Sequence, residues 1–548
     1  MKEINYRLSI LFLLILSFTN WSRIYSQTST YTNPIISGAY PDPSICRVGE
    51  DYYLSNSSFE YFPGVPIWHS KDLVNWSHAG FGIHRPEQFN FDGLASSAGA
   101  WAGTIRYNKG TFYLPLTWVD WRMKVGFKNV ILTADNPSGP WSSPYVITDT
   151  IWGIDPSLFF DDDGKCYWLM NHPPVGFSHP GAASVMLQEI DLTSLKLIGS
   201  PSYIGRGAMI DSKYPEGPKM FKKDGYYYLL IAEGGTGLFH AITISRSKNI
   251  TGPYENYEGN PILSHRSMGY TTPFINIGHA DLVQTQTGEW WMVCLGSRPL
   301  NRKNSILGRE TFLVPVQWDK DQWPIISPGY GQVPVNENFP NLPVHSVPPI
   351  SSRDEFNSTQ LAHIWTFIRT PKSNFYSLTE KPGFLKIKPL NAISNAPPEP
   401  AFIGQRLKYR DAEISTSVLF NTKYTGEMAG LLIYKSEKAL LKFVLNSKSE
   451  LKVINRTDSV ETELFNAKVL SKEALSLKII QKESQFSFFY KENQCDWKEA
   501  VMDFDGSLFS VEKSGGYMGT FIGLYAESQK VSDSFALYDW FDYKEIKP

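Results

Sequence analysis

Hydrophobic residues along the chain occur in short runs, many of them rich in tyrosine, phenylalanine and tryptophan. Turn residues separate these runs, as in Asn108-Lys109-Gly110 and Lys223-Asp224-Gly225. Such runs between Gly- and Asp-containing turns are typical of β-hairpins, and long stretches of apolar residues at helical spacing are missing. The pattern therefore predicts an all-β protein.

Five of these hairpins form a repeat. Each copy begins with a polar or aromatic residue, here called the head, followed by an apolar strand, a turn glycine and an aromatic-rich return strand. The head lies nine residues before the turn glycine in four copies, as in Trp101 and Gly110, and seven before it in the first, Asp42 and Gly49. Hairpins repeated about every sixty residues are typical of propeller blades. The repeat therefore predicts a five-bladed β-propeller.

The heads of the five copies are Asp42, Trp101, Asp155, Glu216 and His279. The innermost strand of each propeller blade lines the central channel, so equivalent positions of different blades meet there. The repeat thus predicts a cavity with three carboxyl groups, an imidazole and an indole. Each residue alone would be more typical of a turn, a cap or the core. Their recurrence at equivalent positions favours a functional site.

The composition changes after Gly331. Residues 333–353 are rich in proline and predict an extended linker. Residues 354–548 contain further alternating strands without clustered carboxylates, which predicts one β-sandwich domain. The expected domains are therefore the propeller over residues 32–332, the linker and the sandwich.

The start of the chain predicts an export signal over residues 1–26. Lys2 and Arg7 precede the apolar run 8–18, and small polar residues follow up to Ser26. The run is too short for a comfortable membrane span. We therefore expect the mature protein to be exported, to the periplasm or the medium, and to have no membrane partner after cleavage.

Composition narrows the partners further. The net charge is −2, with 52 Lys and Arg against 54 Asp and Glu, which gives no electrostatic reason to expect nucleic acid. The aromatic content of 14% suits sugar rings, although all-β proteins use many aromatics in any case. The cysteines lack zinc-type spacing, and three disulfide pairings stay open. They are Cys46, Cys166, Cys294 and Cys495.

The three carboxyl heads suit the cleavage of glycosidic bonds. That reaction typically needs one protonated and one ionised carboxyl group. Carboxyl groups in one cavity can separate their pKa values through burial and mutual repulsion. Glu216 has the longer reach and the higher intrinsic pKa, so it is the candidate acid. Asp42 is held between Pro41 and Pro43 and is the candidate base that orients a water molecule.

Several segments resemble glycoside hydrolase family 43. NPIISGAYPDPSICRVGEDYYLSNSSFEYFPGVPIWHSKDLVNW is similar to the opening of that family, and GIDPSLFFDDDGK, PEGPKMFKKDGYYYLLIAEGGT, GHADLVQT and LGRET follow in the same order. This similarity covers about residues 32–330. Residues 354–543 resemble the β-sandwich of the β-xylosidase-like branch.

The resemblance implies a five-bladed propeller that hydrolyses glycosides with inversion at the anomeric carbon. It implies Asp42 as general base and Glu216 as general acid. Asp155 would tune the pKa of the acid and orient it. The activities known in this branch are mainly β-xylosidase and α-L-arabinofuranosidase.

The resemblance also implies a set of sugar contacts. Phe59 and Trp101 would wall the subsite, and Arg309 would donate to the sugar hydroxyls. His279 would lie at the channel floor, where some members hold a calcium ion through waters. Tyr517 would be the tip of a sandwich loop that reaches the mouth of the site. No organic cofactor is expected, and a structural calcium ion is allowed.

Two departures leave the preferred sugar open. Trp101-Ala102-Gly103 stands where the branch usually has Trp-Ala-Pro, and the run 118–123 matches no subsite. We therefore expect an exo-acting enzyme that removes terminal xylose or arabinofuranose from plant hemicellulose or its oligosaccharides. The alternatives are a non-catalytic carbohydrate-binding propeller, an interaction propeller with structural or metal-binding carboxyls, and an endo-acting, arabinanase-like hydrolase. The oligomeric state stays open.

Overall fold

The computed structural model describes residues 30–149, 152–209, 211–371, 374–393, 399–471, 473–493 and 495–547. The expected signal peptide lies outside these residues. Within them, the helices are one α-helical turn and three short 3-10 turns: Val511–Ser514, Pro86–Gln88, Gly269–Thr271 and Gly506–Phe509. None of these described helices is long and apolar enough to cross a bilayer.

Five antiparallel sheets, the blades, follow one another along the chain, and the strands of each blade pair in chain order, apart from a short strand looped out of blade 1 and a divided strand in blade 2. Blade 1 contains Ser44–Val48, Asp51–Ser55, Gly64–Ser70 and Ser77–Ile83. Blade 3 contains Ser157–Phe160, Cys166–His172, Ser184–Asp191 and Lys196–Gly205. Blade 4 contains Glu216–Lys223, Tyr226–Glu233, Ala241–Ser247 and Glu255–Asn256. Blade 5 contains Ile275–Gln284, Trp290–Ser297, Glu310–Trp318 and Pro324–Ile326.

Blade 2 differs because its innermost strand is divided. Gly99–Trp101 and Arg106–Asn108 both pair with Thr111–Val119, and Phe127–Ala134 and Tyr145–Thr148 complete the sheet. The interruption includes Ala102, whose φ of +36° does not fit a continuous strand.

The ring of blades is closed by the segments that flank it. Thr30–Thr32 pairs with Asn336–Asn338, and Ile36 forms a bridge with Thr311 of blade 5. Asn33 donates from its side-chain amide to the Leu313 carbonyl at 2.9 Å. The proline-rich segment after blade 5 therefore contains a strand that fastens the start of the propeller.

The C-terminal region is a sandwich of two sheets. The first sheet contains Arg353–Asp354, Tyr376–Ser377, Leu385–Ile387, Asp411–Asn421, Leu475–Lys482, Gln485–Glu492, Lys498–Asp505 and Phe535–Glu545. The second contains Leu390–Asn391, Ala401–Arg406, Met428–Ser436, Ala439–Asn446, Glu450–Thr457, Val460–Lys468 and Phe521–Ser528. The prediction of a five-bladed propeller followed by a β-sandwich is confirmed.

Alternation of apolar and polar residues explains why these strands pack in two layers. In Leu475–Lys482, every second residue is buried, so Leu477 and Ile479 face the opposite sheet. They join Phe443 of that sheet in a core that extends into blade 2, where it includes Trp118. All four cysteines are free thiols, which answers the question of pairing left open by the sequence.

The two domains share backbone hydrogen bonds as well as this core. The short strand Tyr61–Phe62, in a loop of blade 1, pairs with Phe367–Ile368 of the C-terminal region. The ring of Tyr61 stacks on that of Phe521, with centroids 3.8 Å apart and 15° between the planes. Shared strand pairing and stacking fix the orientation of the sandwich on the propeller.

A buried ion pair lies beside this junction. Arg369 is 1% exposed, donates from Nε to the Leu94 carbonyl at 2.7 Å and forms an ion pair with Glu437. Ser96 also donates to the Glu437 carboxylate. The pair therefore connects the sandwich to the loop that precedes blade 2.

We expect Arg369→Met to lower the free energy of unfolding by about 3–5 kcal/mol, because it leaves the Glu437 carboxylate buried without its cation. Urea unfolding followed by fluorescence measures this change. Arg410→Met is the matched control. It breaks a pair with Glu483 in which the arginine side chain is 44% exposed, and it should cost about 0–1 kcal/mol. Equal losses in the two variants would contradict the prediction.

Candidate active site

The five heads of the repeat line one cavity. The other residues in its wall are Phe59, Ile154, Thr236, Arg309 and Tyr517. The structure therefore brings together all eight residues that the sequence analysis selected for the site. Ile154 and Thr236 are the lining residues that it did not select.

Strained backbone positions the heads. Asp42, Asp155 and His279 have φ values of +55°, +56° and +43°, in the left-handed region that residues with side chains seldom adopt. In the remaining two blades, the positive φ falls on the residue after the head, at Ala102 and Gly217. For a residue other than glycine, such a conformation costs on the order of 1–3 kcal/mol and is typically retained at functional sites.

Asp42 is held as an anion by three neighbours. Arg309 donates from Nη1 to one carboxylate oxygen at 2.9 Å, and the Ser57 hydroxyl donates to the other at 2.5 Å. Burial alone would raise the pKa of Asp42. Arg309, His279 and the Ser57 hydrogen bond together outweigh burial and lower the pKa below its ordinary value.

Asp155 is held by the backbone that follows Glu216. The Gly217 N–H donates to Asp155 Oδ2 at 3.0 Å, and His279 Nε2 lies 3.4 Å from the same oxygen. Gly217 has a φ of +59°, and a Cβ at this position would lie 2.8 Å from His279 Nε2. Only glycine therefore allows this approach of the Glu216 strand to Asp155 and His279.

The pKa of Glu216 is shifted in the opposite direction to that of Asp42. Burial raises the pKa of Glu216 well above its ordinary value, and the charges of Asp155 and Asp42 raise it further against a smaller opposing effect of Arg309. A carboxyl group with a raised pKa stays protonated and can donate its proton. The cavity thus contains one carboxyl group poised to accept a proton and one poised to donate it.

Three aromatic rings wall the cavity. The ring centroid of Phe59 lies 5.8 Å from those of Trp101 and Tyr517. The centroids of Trp101 and Tyr517 are 5.1 Å apart, with the rings edge-on. The Trp101 indole N–H donates to the Ser97 carbonyl at 2.9 Å, which orients the ring. Flat apolar faces beside charged groups suit a ligand that has both C–H faces and hydroxyl groups, such as a sugar.

Tyr517 reaches the cavity from the sandwich domain. Its backbone N–H donates to Ser97 Oγ at 3.0 Å, and its carbonyl accepts from Arg309 Nη2 at 3.3 Å. Next to it, Gly519 lies directly on the propeller backbone, where a Cβ would stand 2.4 Å from the Leu307 carbonyl oxygen. The loop can approach the propeller this closely because Gly519 has no side chain.

The sequence analysis did not select two buried residues on the strands of the heads, Lys219 and Asp281. Lys219 is 2% exposed, and its ammonium group has no hydrogen-bond partner among the described residues. Burial lowers the pKa of Lys219 to about 8, against an opposing effect of Asp281. Asp281 accepts from Arg106 at 2.8 Å and from Ser44 at 2.8 Å. Lys219 and Asp281 lie on the same strands as the heads Glu216 and His279, and that proximity in sequence is the signal that could have found them.

The described residues around His279 offer no set of direct calcium ligands. Calcium prefers six to eight oxygen ligands, whereas the ring nitrogens of His279 have no hydrogen-bond partner among the described residues, and its Nε2 lies 3.4 Å from Asp155 Oδ2. The carboxylates of Asp42 and Asp281 are bound by Arg309 and Arg106. The described residues include no cluster of three or more His, Cys, Asp or Glu side chains able to hold a metal ion. We therefore assign no step of the chemistry to a metal.

Comparison with known proteins agrees with this geometry. Residues 31–324 match the model of glycosyl hydrolases family 43, and residues 353–544 match that of the β-xylosidase C-terminal concanavalin A-like domain. The chain is 40% identical to a xylosidase/arabinosidase of Butyrivibrio fibrisolvens over 94% of its own length and 99% of the relative. It is 38% identical to a non-reducing end α-L-arabinofuranosidase of Bacteroides ovatus, over 97% of its own length and 98% of the relative.

Solved structures are similar over the same extent. A xylan β-1,4-xylosidase of Bacillus halodurans superposes with a TM-score of 0.88 at 34% identity. The match covers 94% of this chain and 100% of that chain. The similarity thus extends over both domains.

We expect Gly519→Ala to lower the free energy of unfolding by about 1–3 kcal/mol, because the added methyl group meets the Leu307 carbonyl. Gly237→Ala is the matched control. A Cβ at Gly237 would meet no atom within 4 Å, so this change should shift the free energy by about 0.5 kcal/mol or less. Urea unfolding of both variants measures the difference, and a Gly519→Ala protein as stable as the control would refute the close contact.

Proposed function

Because the chain belongs to glycosyl hydrolases family 43, and is therefore a glycoside hydrolase, we propose that it removes terminal xylose or arabinofuranose residues from hemicellulose or its oligosaccharides with inversion at the anomeric carbon. The names of the curated relatives support both sugars. The apolar run 8–18 supports action outside the cytoplasm.

The observation that carries the proposal is that the pKa values of two carboxyl groups in one cavity are shifted in opposite directions. The pKa of Asp42 is lowered, and the pKa of Glu216 is raised. Inverting hydrolysis requires one carboxylate that accepts a proton from water and one carboxyl group that donates a proton to the leaving oxygen. Asp42 and Glu216 match these two requirements.

In the proposed reaction, the Glu216 carboxyl group donates its proton to the glycosidic oxygen as the bond to the anomeric carbon breaks. Asp42 accepts a proton from a water molecule, whose oxygen bonds to that carbon from the opposite face. Each turnover leaves Asp42 protonated and Glu216 ionised, and exchange with solvent restores both. Water is the only co-reactant.

Asp155 acts on the acid in two ways. Its charge raises the pKa of Glu216. Its bond from the Gly217 N–H holds the backbone next to Glu216 in place. Asp155 is therefore a positioning residue that keeps the acid protonated and oriented.

Tyr517 supports exo action. The ring lies beside Phe59 and Trp101 and so narrows the end of the channel to a pocket for one terminal sugar. An endo-acting enzyme needs a groove that is open at both ends. The arabinanase-like alternative is disfavoured for this reason.

We expect Glu216→Gln to lower kcat/KM on xylobiose or its arabinofuranosyl counterpart by about 10²- to 10⁴-fold. The loss should be smaller on the p-nitrophenyl glycoside, because nitrophenolate leaves without needing a proton. Glu255→Gln is the matched control. It changes the same side chain on the outer strand of the same blade, where it is 67% exposed, and should leave both rates unchanged.

Proton NMR of the first sugar released by the wild type tests the stereochemistry. Inversion gives α-xylose from a β-xyloside, and first release of β-xylose would overturn that part of the proposal. Activity of Glu216→Gln equal to wild type on both substrates would overturn the assignment of the acid.

The pH dependence of kcat/KM should be bell-shaped with a broad maximum. The rate rises as Asp42 ionises, at a pH below the ordinary carboxyl range because its pKa is lowered. It falls as Glu216 loses its proton, above that range because its pKa is raised. Arg309→Met removes the cation beside Asp42 and should move the acid limb to higher pH, whatever it does to the maximum. An acid limb that stays in place would contradict the role of Arg309.

A further inference from the structure

Two indole rings are exposed beside the mouth of the cavity. Trp121 is 52% exposed and Trp152 is 41% exposed. Trp121 lies in the hairpin between Thr111–Val119 and Phe127–Ala134, and Trp152 precedes the head Asp155 by three residues. Exposed apolar rings that belong to one patch mark a binding surface more often than single exposed rings do.

An unbroken series of rings joins these indoles to the cavity wall. Trp101 meets Trp121 edge-on with centroids 6.0 Å apart. Phe127 lies between the two exposed rings, 5.4 Å from Trp121 and 5.5 Å from Trp152, nearly perpendicular to both. Trp121 and Trp152, here called the outer platform, therefore extend the aromatic wall of the cavity to the surface.

The hairpin holds Trp121 in a defined position. The Asp120 N–H donates to the Gly126 carbonyl at 3.0 Å, and the Arg122 guanidinium binds both oxygens of Asp120 at 2.8 and 2.7 Å. Gly126 lies against the indole, where a Cβ would be 3.5 Å from Cε3. A ring fixed in this way loses little conformational entropy when a ligand stacks on it.

The position of the outer platform indicates which part of the substrate it would bind. In the exo mode proposed above, the cavity holds the terminal sugar, so every further unit of the substrate lies outside it on the leaving side. The outer platform is exposed at the mouth and shares Trp101 with the cavity. Its flat apolar faces complement the C–H faces of pentose rings.

We propose that Trp121 and Trp152 form a leaving-side binding site on which the sugar units beyond the cleaved bond stack. This inference rests on the proposed function and deepens it, because it makes chain length a determinant of the substrate. The enzyme then prefers oligosaccharides to glycosides that have a small leaving group.

Trp121→Ala tests the outer platform through the ratio of two rates. The substrates are methyl β-D-xyloside and β-1,4-xylotetraose, with methyl α-L-arabinofuranoside and α-1,5-arabinotetraose as the second pair. We expect kcat/KM on the tetrasaccharide to fall about tenfold more than kcat/KM on the methyl glycoside, because only the tetrasaccharide covers the indole. Trp121→Phe keeps a flat face and should restore most of the preference.

Tyr330→Ala is the matched control, since it removes another exposed ring of the propeller, 68% exposed, outside the cavity. It should leave the ratio of the two rates unchanged. If Trp121→Ala lowers both rates equally, Trp121 only supports Trp101 and the proposal is wrong. A ratio equal to that of the wild type also overturns it.

A binding titration separates failure of the outer platform from failure of the proposed function. Xylotetraose and arabinotetraose are titrated into Glu216→Gln and into the double variant that also carries Trp121→Ala, with intrinsic fluorescence as the readout. We expect Kd to be about tenfold higher in the double variant. This result would support the outer platform even if the wild type hydrolysed none of the substrates. Equal Kd values, or no binding in either protein, would overturn it.

Discussion

The ion pair between Arg309 and Asp42 is the interaction on which the rest of the site depends. Arg309 lies in blade 5 and Asp42 at the head of blade 1, so the pair crosses the position where the ring of blades closes. The same guanidinium donates to the Tyr517 carbonyl of the sandwich. One side chain therefore keeps Asp42 ionised, ties the last blade to the first and anchors the loop from the second domain. A change in the orientation of the sandwich would reach Asp42 through this contact.

The sandwich contributes to the site through its position. Tyr61–Phe62 pairs with Phe367–Ile368, and Gly519 lies against Leu307. These contacts fix the base of the loop whose tip is Tyr517. The propeller supplies the heads, and the sandwich adds Tyr517 to the wall of their cavity. The exo action proposed above would thus be a consequence of how the two domains pack.

The repeat made the heads predictable because a propeller converts equivalent sequence positions into neighbours in space. Asp42, Asp155 and Glu216 required only that geometry and the chemistry of carboxyl groups. Tyr517 entered only through the family resemblance, since nothing in its own segment shows that a sandwich loop crosses to the propeller. The positive φ values of Asp42 and Asp155 could not be predicted, because aspartate before proline is compatible with several turns. Lys219 was missed for a related reason: lysine is rarely buried, so the sequence alone gives no reason to place its ammonium group inside the channel.

Burial and nearby carboxylates explain why Glu216 retains its proton. Burial is the larger cause, and the charges of Asp155 and Asp42 add to it against a smaller effect of Arg309. The carboxylates of Asp42 and Asp281 bind arginines directly, so their charges are neutralised by close contacts. Glu216 forms no such ion pair among the described residues, and loss of its proton would place a further negative charge next to Asp155 in a region shielded from water. The cavity therefore favours the protonated acid that the proposed hydrolysis requires.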